Sequence, residues 1–457
     1  MAAFTIAEVI EATGARLLRR GNRENAFSSI DTDTRTLSPG SLFVALQGDT
    51  FDGHRFIAAA LEGGAAGVLV ARETEKYGDG DCTVFLVTDT LKAYQDLARF
   101  HRRRFAIPVI AVTGSVGKTS TRSIIATVLA QKYNVLQTEK NFNNEIGLPK
   151  TLLNLTEDHG VCVVEMGMRG LGQIAELAAI AEPTIGVVTN VGKSHIELLG
   201  SQENIAKAKA ELVAALPSDG VAVLNQDDRY VAAMADICRA KSVTYGVLSN
   251  AVIRGCRIEA NEKGLRFSCR CFDLMFDITM PVIGKYTVYN ALAAVAVGRV
   301  LGLSEHQMRK GLSEYGGVPM RLELVRLDPY TFINDAYNAN PASMSEAVST
   351  LASLTTGRKI AVLGGMLELG DWTEREHRTV GRQIAAASID ALIVLGDEAA
   401  FIADEAKKEG MVNVWITANH DEAAAMLKSV LLPGDTVLLK GSRGFAMEKI
   451  LTYFERK

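Results

Sequence analysis

The segment that most narrows the possible folds is Ala111-Val112-Thr113-Gly114-Ser115-Val116-Gly117-Lys118-Thr119-Ser120. It joins an apolar run, Val109 to Thr113, to a stretch whose apolar residues Ile124, Ile125, Val128 and Leu129 recur at helical spacing. A strand, a glycine-rich turn and a helix in that order form a phosphate loop: the glycines let the backbone curl until its N–H groups and the helix N-terminus face an anion. Gly114, Ser115, Val116 and Gly117 then line the phosphates. Lys118 supplies a cation for the β- and γ-phosphates, and the hydroxyl of Thr119 or Ser120 reaches Mg²⁺. The first glycine of G-x-x-x-x-G-K-[ST] would fall at Val112 and is absent. No NKxD guanine signature follows, so the nucleotide expected is ATP.

A loop of this kind needs a parallel sheet, and the chain repeats the pattern. The spacing predicts a helix over Ser120 to Lys132 and short apolar strands at Val161 to Val164, Ile185 to Thr189 and Val221 to Leu224, with helical stretches between. The last third repeats the style, with strands at Lys359 to Leu363, Ala391 to Leu395, Val412 to Ile416 and Thr436 to Leu439, and reads as a second open α/β sheet. Breaks fall near Phe105 to Pro108 and at Tyr315 to Pro319. With 457 residues, three domains are expected: 1–105, 106–317 and 318–457. The first of these mixes short strands and helices.

Composition removes several classes. Lys and Arg total 49 against 53 Asp and Glu, so no basic field points to nucleic acid, and the run Arg102-Arg103-Arg104 reads as a solvated helix end. The longest apolar run, Ala291 to Leu303, is too short to span a bilayer and contains Arg299. Glu8 and Glu11 stand where a signal peptide needs an apolar core, and the six cysteines contain no C-x-x-C pair. A cytoplasmic protein with reduced thiols is expected.

Other residues offer chemistry. Glu165 closes one strand and His195 follows the next, so both belong to the carboxyl edge where open parallel sheets bind ligands. Either is also an ordinary loop residue. Asn141, Asn143 and Asn144 suit sugar and peptide groups, and equally suit turns and caps. Lys209, within Gln202 to Leu216, reads by pattern as part of a solvated helix face. Asn334-Asp335-Ala336-Tyr337-Asn338-Ala339-Asn340-Pro341 follows a strand and opens a helix; Asp335 could orient ribose or phosphate, or belong to an N-cap cluster. Lys440-Gly441-Ser442-Arg443-Gly444 forms a second anion-ready corner.

Taken together these motifs resemble the Mur ligases of bacterial cell-wall synthesis over essentially the whole chain. They are most similar to the branch that adds D-alanyl-D-alanine to a UDP-N-acetylmuramoyl-tripeptide. TGSVGKTS is that family's form of the phosphate loop, which accounts for Val112. KNFNNEIGLP (140–149), VVEMGMRGLGQI (163–174) and DAYNANPASM (335–344) are similarly characteristic, and the DNPR signature of the relatives that add the third residue is absent. The resemblance implies a UDP-binding first domain, a central ATP-binding domain and a C-terminal Rossmann-like domain, with ATP and Mg²⁺ as cofactors and a monomer as the working state. It also implies that Ser29, Thr32, Arg35, Asp52, Gly53, His54, Asn141, Asn143, Asn144, Lys440, Ser442 and Arg443 bind substrate. Asn290, Arg321, Asp335 and Asn338 join the loop on ATP, and Thr119, Glu165, His195 and Lys209 hold Mg²⁺. Lys209 matches the lysine that the family carbamylates, and Lys118, Lys209, His195 and Arg321 are the catalytic set.

One departure stands out. The family pattern G-R-H-N-V-x-N reads Gly284-Lys285-Tyr286-Thr287-Val288-Tyr289-Asn290, so Tyr-Thr replaces His-Asn. Gly365, where an Asp is common, carries no expected role. The other readings are a relative acting on another amine, such as a folylpolyglutamate-synthase type, and a muramoyl-nucleotide-binding protein without turnover. A simple kinase or GTPase would leave the outer domains unexplained.

Overall fold

The computed structural model describes residues 3–22, 26–48, 51–73, 77, 81–354 and 357–455. The chain divides into two compact units, Met1–Ala111 with Tyr133–Met166 and Ala175–Thr184, and Val112–Lys132 with Gly167–Ile174 and Ile185–Lys457.

The first unit contains a five-stranded sheet in the order Arg16–Arg19, Thr83–Leu86, Gly67–Val70, Leu42–Val44, Ile30–Asp31. Its inner strands are parallel to one another and, Thr83 and Gly67 apart, built of large apolar residues that are almost all buried. Helix Thr90–Arg102 starts at Asp89, whose carboxylate accepts the Leu91 and Lys92 N–H groups. Its basic tip is solvated only at Arg103 and Arg104. Arg102 is buried and donates to the carbonyls of Ala181, Phe105 and Ile107, while Arg103 pairs with Glu182 and Arg104 with Glu8. Free carbonyls at a helix C-terminus attract cations, so these arginines fasten the following turn. The same unit holds the parallel pair Val135–Gln137 and Val161–Glu165.

The second unit carries two sheets. In one, the parallel strands Ile185–Val188, Val221–Asn225 and Lys241–Gly246 continue into Ile253–Asn261, then antiparallel into Gly264–Cys271 and Leu274–Met280. The three long strands at this edge are absent from the sequence reading. Their burial alternates along Arg257 to Asn261, a period-two signal interrupted by the irregularity between Cys256 and Glu259. The other sheet runs Glu323–Leu327, Tyr330–Asp335, Thr436–Lys440, Lys359–Gly364, Ala391–Leu395, Val414–Thr417, parallel except at its first strand. The expected start at Val412 is corrected, since Val412 is 89% exposed and the strand begins at Val414.

The expected helix after the phosphate loop also begins earlier, as Lys118–Leu129. Gly117, at φ +82°, lets the chain enter the helix directly at Lys118, so the first turn faces the loop. Ile124, Ile125, Val128 and Leu129 are all buried, each contributing about 1.5–3 kcal/mol. Helix Thr287–Val300 packs closely along this helix, where a Cβ on Gly298 would lie 3.2 Å from Met308 Cγ and 3.3 Å from Val128 Cγ1.

Candidate active site

In the second unit, Gly114 has φ +152°, and a Cβ there would lie 1.8 Å from Thr189 Oγ1. That closeness lets the loop after Ile185–Val188 hold the phosphate loop. Thr189 Oγ1 donates to the Val116 carbonyl at 2.7 Å, and the Asn190 amide both donates to that carbonyl at 3.0 Å and accepts from Val116 N–H at 2.9 Å. Ser115 N–H donates to the Asn190 carbonyl, and Ser115 Oγ accepts from Gly192 N–H at 2.8 Å. Thr189 and Asn190 therefore shape the cradle, although the sequence reading gave them no role. Their signal was only that they follow a buried strand.

Lys118 Nζ bends back onto the Gly114 carbonyl at 2.7 Å, across the loop whose phosphates it would meet. Thr119 and Ser120 are half-buried on the first turn. Asn290 reaches the same loop from helix Thr287–Val300: its Oδ1 accepts from Thr121 Oγ1 at 3.0 Å and would meet a Cβ on Gly117 at 2.9 Å.

Lys209 is not on a solvated face. It is 3% exposed, on helix Gln202–Ala214, and burial together with the Lys118 ammonium pushes its amine well below the usual lysine range. His195 stands at φ +62° with Nδ1 2.5 Å from Glu368 Oε2. Burial lowers its basicity, and Lys118 and Lys209 lower it further against the opposing pull of Glu368. Lys118, Lys209 and His195 of the expected catalytic set thus act on one another. Glu368, also at positive φ, is a second partner the sequence did not announce.

The C-terminal sheet of this unit brings the remaining nucleotide candidates together. Arg321 lies over the Tyr337 ring at 4.1 Å, Asp335 Oδ1 accepts from Leu322 N–H, and Asp335 Oδ2 accepts from Lys440 Nζ at 2.6 Å. Lys440 is 1% exposed and also donates to the Asn338 carbonyl, so it positions the Asp335–Asn338 segment from beneath. Ser442 is buried between Ala339 and Leu367, whereas half-exposed Arg443 pairs with Glu448. Asn340 Nδ2 donates to Ser194 Oγ, and Lys193 pairs with Glu376 at 2.7 Å, tying this segment to the loop before His195.

The first unit holds the other candidates. Glu165 is buried at the end of Val161–Glu165; its Oε1 accepts from Asn143 Nδ2 at 2.8 Å, and its Oε2 has no partner among the described residues. A buried carboxylate oxygen without a donor is stabilised by a cation, which fits a Mg²⁺ ligand. Asn144 caps the turn into helix Gly147–Leu152, and Asn141 is exposed. Asn143 is thus the amide that serves a site carboxylate. Ser29 Oγ donates to Asp31, Thr32 is half-buried beside it, and Arg35 forks onto Asp33, whose carboxyl its hydrogen bonds hold at about 2. His54 is buried: Nε2 accepts from Ala71 N–H at 3.0 Å and Nδ1 faces Asp52 at 2.8 Å, while Asp52 pairs with Arg72. Gly53 packs where a Cβ would meet the Leu46 carbonyl at 2.6 Å. His54 and Gly53 shape this loop, and Arg35, Arg55 and Arg72 are exposed cations in this unit.

Comparison with known proteins accounts for this arrangement. Three family models match: the Mur ligase family catalytic domain over residues 26–102, the Mur ligase middle domain over 112–298, and the Mur ligase glutamate ligase domain over 320–443. The UDP-N-acetylmuramoyl-tripeptide--D-alanyl-D-alanine ligase of Synechocystis is 40% identical, covering 93% of this chain and 91% of that protein. The crystal structure of MurF from Acinetobacter baumannii superposes with a TM-score of 0.92 at 29% identity over 99% of each chain. MurF from Thermotoga maritima, solved in complex with ADP, gives 0.84 at 28% identity over 93% of this chain and 96% of that one. With a phosphate cradle, a buried lysine beside it and three consecutive domain matches, the chain belongs to the Mur ligase family.

Proposed function

We propose that this chain is an ATP-dependent ligase that joins the amine of D-alanyl-D-alanine to the terminal carboxyl of a UDP-N-acetylmuramoyl-tripeptide, giving the pentapeptide nucleotide, ADP and phosphate. The observation that carries the reading is the buried amine of Lys209 beside a phosphate loop whose lysine lies across it. A plain nucleotide-binding protein has no use for a desolvated lysine there. The domains assigned are 1–105 for the nucleotide-linked substrate, 106–317 for ATP and 318–457 as the ligase domain, a division supported by the spans of the three family models.

The reaction proceeds in two steps. A carboxylate oxygen attacks the γ-phosphorus of ATP, the bond to the β-bridging oxygen breaks, and ADP leaves with that electron pair. The dipeptide amine then attacks the acyl carbon, phosphate departs with the C–O pair, and the ammonium loses a proton. Two anions meet in the first step, so fixed cations are required. Lys118 swings from the Gly114 carbonyl onto the phosphates, and Arg321, held over Tyr337, offers a second guanidinium. Gly114 to Ser120 present backbone N–H and hydroxyl groups, with Asn290, Asp335 and Asn338 placed on the nucleoside side.

Thr119, Glu165, His195 and Lys209 are assigned to Mg²⁺, which when bound supplies positive charge to the phosphates. Burial and the Lys118 ammonium lower the basicity of His195, which favours the neutral ring that a ligand needs. Burial and the Lys118 ammonium lower the basicity of the Lys209 amine, which favours the free base that can add to CO₂ and lose one proton, leaving a carbamate anion. Ser29, Thr32, Arg35, Asp52, Asn141, Asn143 and Arg443 are assigned to substrate, with Gly53, His54, Asn144, Lys440 and Ser442 holding those groups in place. No described helix is long and apolar enough to cross a membrane. The reading places the reaction in the cytoplasm, with a monomer as the working state by resemblance to the family.

Phosphate release measured with ATP, Mg²⁺, the UDP-tripeptide and D-alanyl-D-alanine, omitting each in turn, tests this. Release should require all four, with the pentapeptide nucleotide in the mass spectrum. Release that is independent of the dipeptide would overturn the assignment.

A further inference from the structure

Helix Thr287–Val300 reaches the phosphate loop through Asn290, and one turn earlier on the same face stands Tyr286. Its ring is 48% exposed yet not loose: it stacks on Tyr289 with centroids 6.3 Å apart and planes at 22°. Tyr289 is pinned in turn, donating its hydroxyl to Asp227 at 2.9 Å, a carboxylate that also accepts the N–H groups of Val247, Leu248 and Ser249. A rigid, half-exposed aromatic face beside a phosphate cradle is a stacking platform.

The opposite wall is helix Pro341–Ser353. A Cβ at Gly284 would lie 3.5 Å from Thr350 Oγ1, so the turn before Tyr286 touches this helix. At its other end Ala342 approaches Gly192, next to Ser115 of the phosphate loop. Glu346 lies between these two points, one turn from Thr350, whose hydroxyl donates to the Glu346 carbonyl. The Glu346 carboxyl makes no hydrogen bond with another described residue, although Lys440, Asp335 and Tyr289 are near enough to act on it electrostatically. Burial pushes it up to about 7, so an acid-form O–H and an acceptor oxygen are both available at neutral pH.

This chain has exchanged the family's His-Asn pair for Tyr286 and Thr287, and the Thr287 hydroxyl is turned back to the Ile283 carbonyl at 3.4 Å. On this side of the cradle Glu346 offers a carboxyl to a base edge. We propose that Tyr286 and Glu346 together read the nucleobase of ATP, the ring stacking on adenine and the carboxyl accepting a hydrogen bond from its exocyclic amine. The inference rests on the ATP-dependent reading above and adds two specificity residues that the phosphate contacts do not supply.

The test compares ATP with purine riboside triphosphate, which lacks the 6-amino group, by steady-state kinetics and by calorimetric binding. Tyr286→Ala should raise KM for both nucleotides about 5- to 100-fold, the span of one base-aromatic stack, while Tyr286→Phe stays near wild type. The wild-type protein should favour ATP about tenfold, and Glu346→Ala should bring that preference close to one, with KM for the UDP-tripeptide unchanged. An unchanged ATP KM in Tyr286→Ala, or an undiminished preference in Glu346→Ala, overturns the inference. Equal use of both nucleotides by the wild-type protein overturns the Glu346 contact without any variant. Calorimetry gives the same comparison without turnover, so a protein that binds ATP selectively but forms no peptide bond would count against the ligase reading and in favour of this one.

Discussion

Replacing Asn190 separates cradle geometry from simple charge. Its amide makes two bonds to Val116, one accepted at 2.9 Å and one donated at 3.0 Å. At a net of about 1 kcal/mol each, Asn190→Ala forfeits about 2 kcal/mol of loop order, and about 1.4 kcal/mol corresponds to a factor of ten. ATP affinity should therefore fall about 30-fold. Asn190→Asp is the sharper probe because it keeps the shape. One carboxylate oxygen still accepts from Val116 N–H, while the other now opposes the Val116 carbonyl and adds an anion beside the triphosphate. The loss should exceed that of Asn190→Ala, reaching about 100-fold or more. Calorimetric titration with ATP, with UDP-tripeptide binding as the folding control, measures both. If Asn190→Asp binds ATP better than Asn190→Ala, the amide's donated bond is not what holds the loop, and the reasoning fails.

Lys209→Ala should lose turnover and recover part of it with acetate or formate, which replace a carbamate anion; full activity without addition would remove the carbamate role. Lys440→Met should lower stability by about 3–5 kcal/mol in denaturant unfolding, because it leaves Asp335 buried without its cation. His101 is 3% exposed and burial pushes it down to about 4, with its Nε2 at 2.9 Å from the Leu155 carbonyl. The unfolded chain binds this proton near pH 6.5 and the native chain only near pH 4. Stability from this group is thus complete above pH 6.5 and declines by about 3 kcal/mol as pH falls through that window. His101→Gln should flatten that part of the stability profile; an unchanged slope would show that His101 titrates normally in the native state.

Local chemistry made part of this protein readable without coordinates. A phosphate loop announces itself because three constraints coincide within ten residues: an apolar strand, glycines free to adopt positive φ, and a lysine opening a helix. The parallel strands were visible for a similar reason, since burial on both faces demands uninterrupted apolar runs. The pattern of Lys209 misled because charge periodicity reports only the residue's own helix; whether a lysine faces water depends on what packs against it. Arg102 misled in the same way, whereas Arg103 and Arg104 are exposed as expected, and the first hairpin, at 253–271, was hidden where an irregularity breaks its alternation. Thr189, Asn190, Glu368 and Glu346 lie far along the chain from the groups they serve and carry no spacing signal. Sequence alone determined that a nucleotide's phosphates have a cradle and which lysine faces them. Only tertiary structure decided which amide holds that cradle, which lysine is buried beside it, and which aromatic ring is stacked on its neighbour there, because burial and electrostatic neighbourhood come from packing between segments rather than from order along the chain.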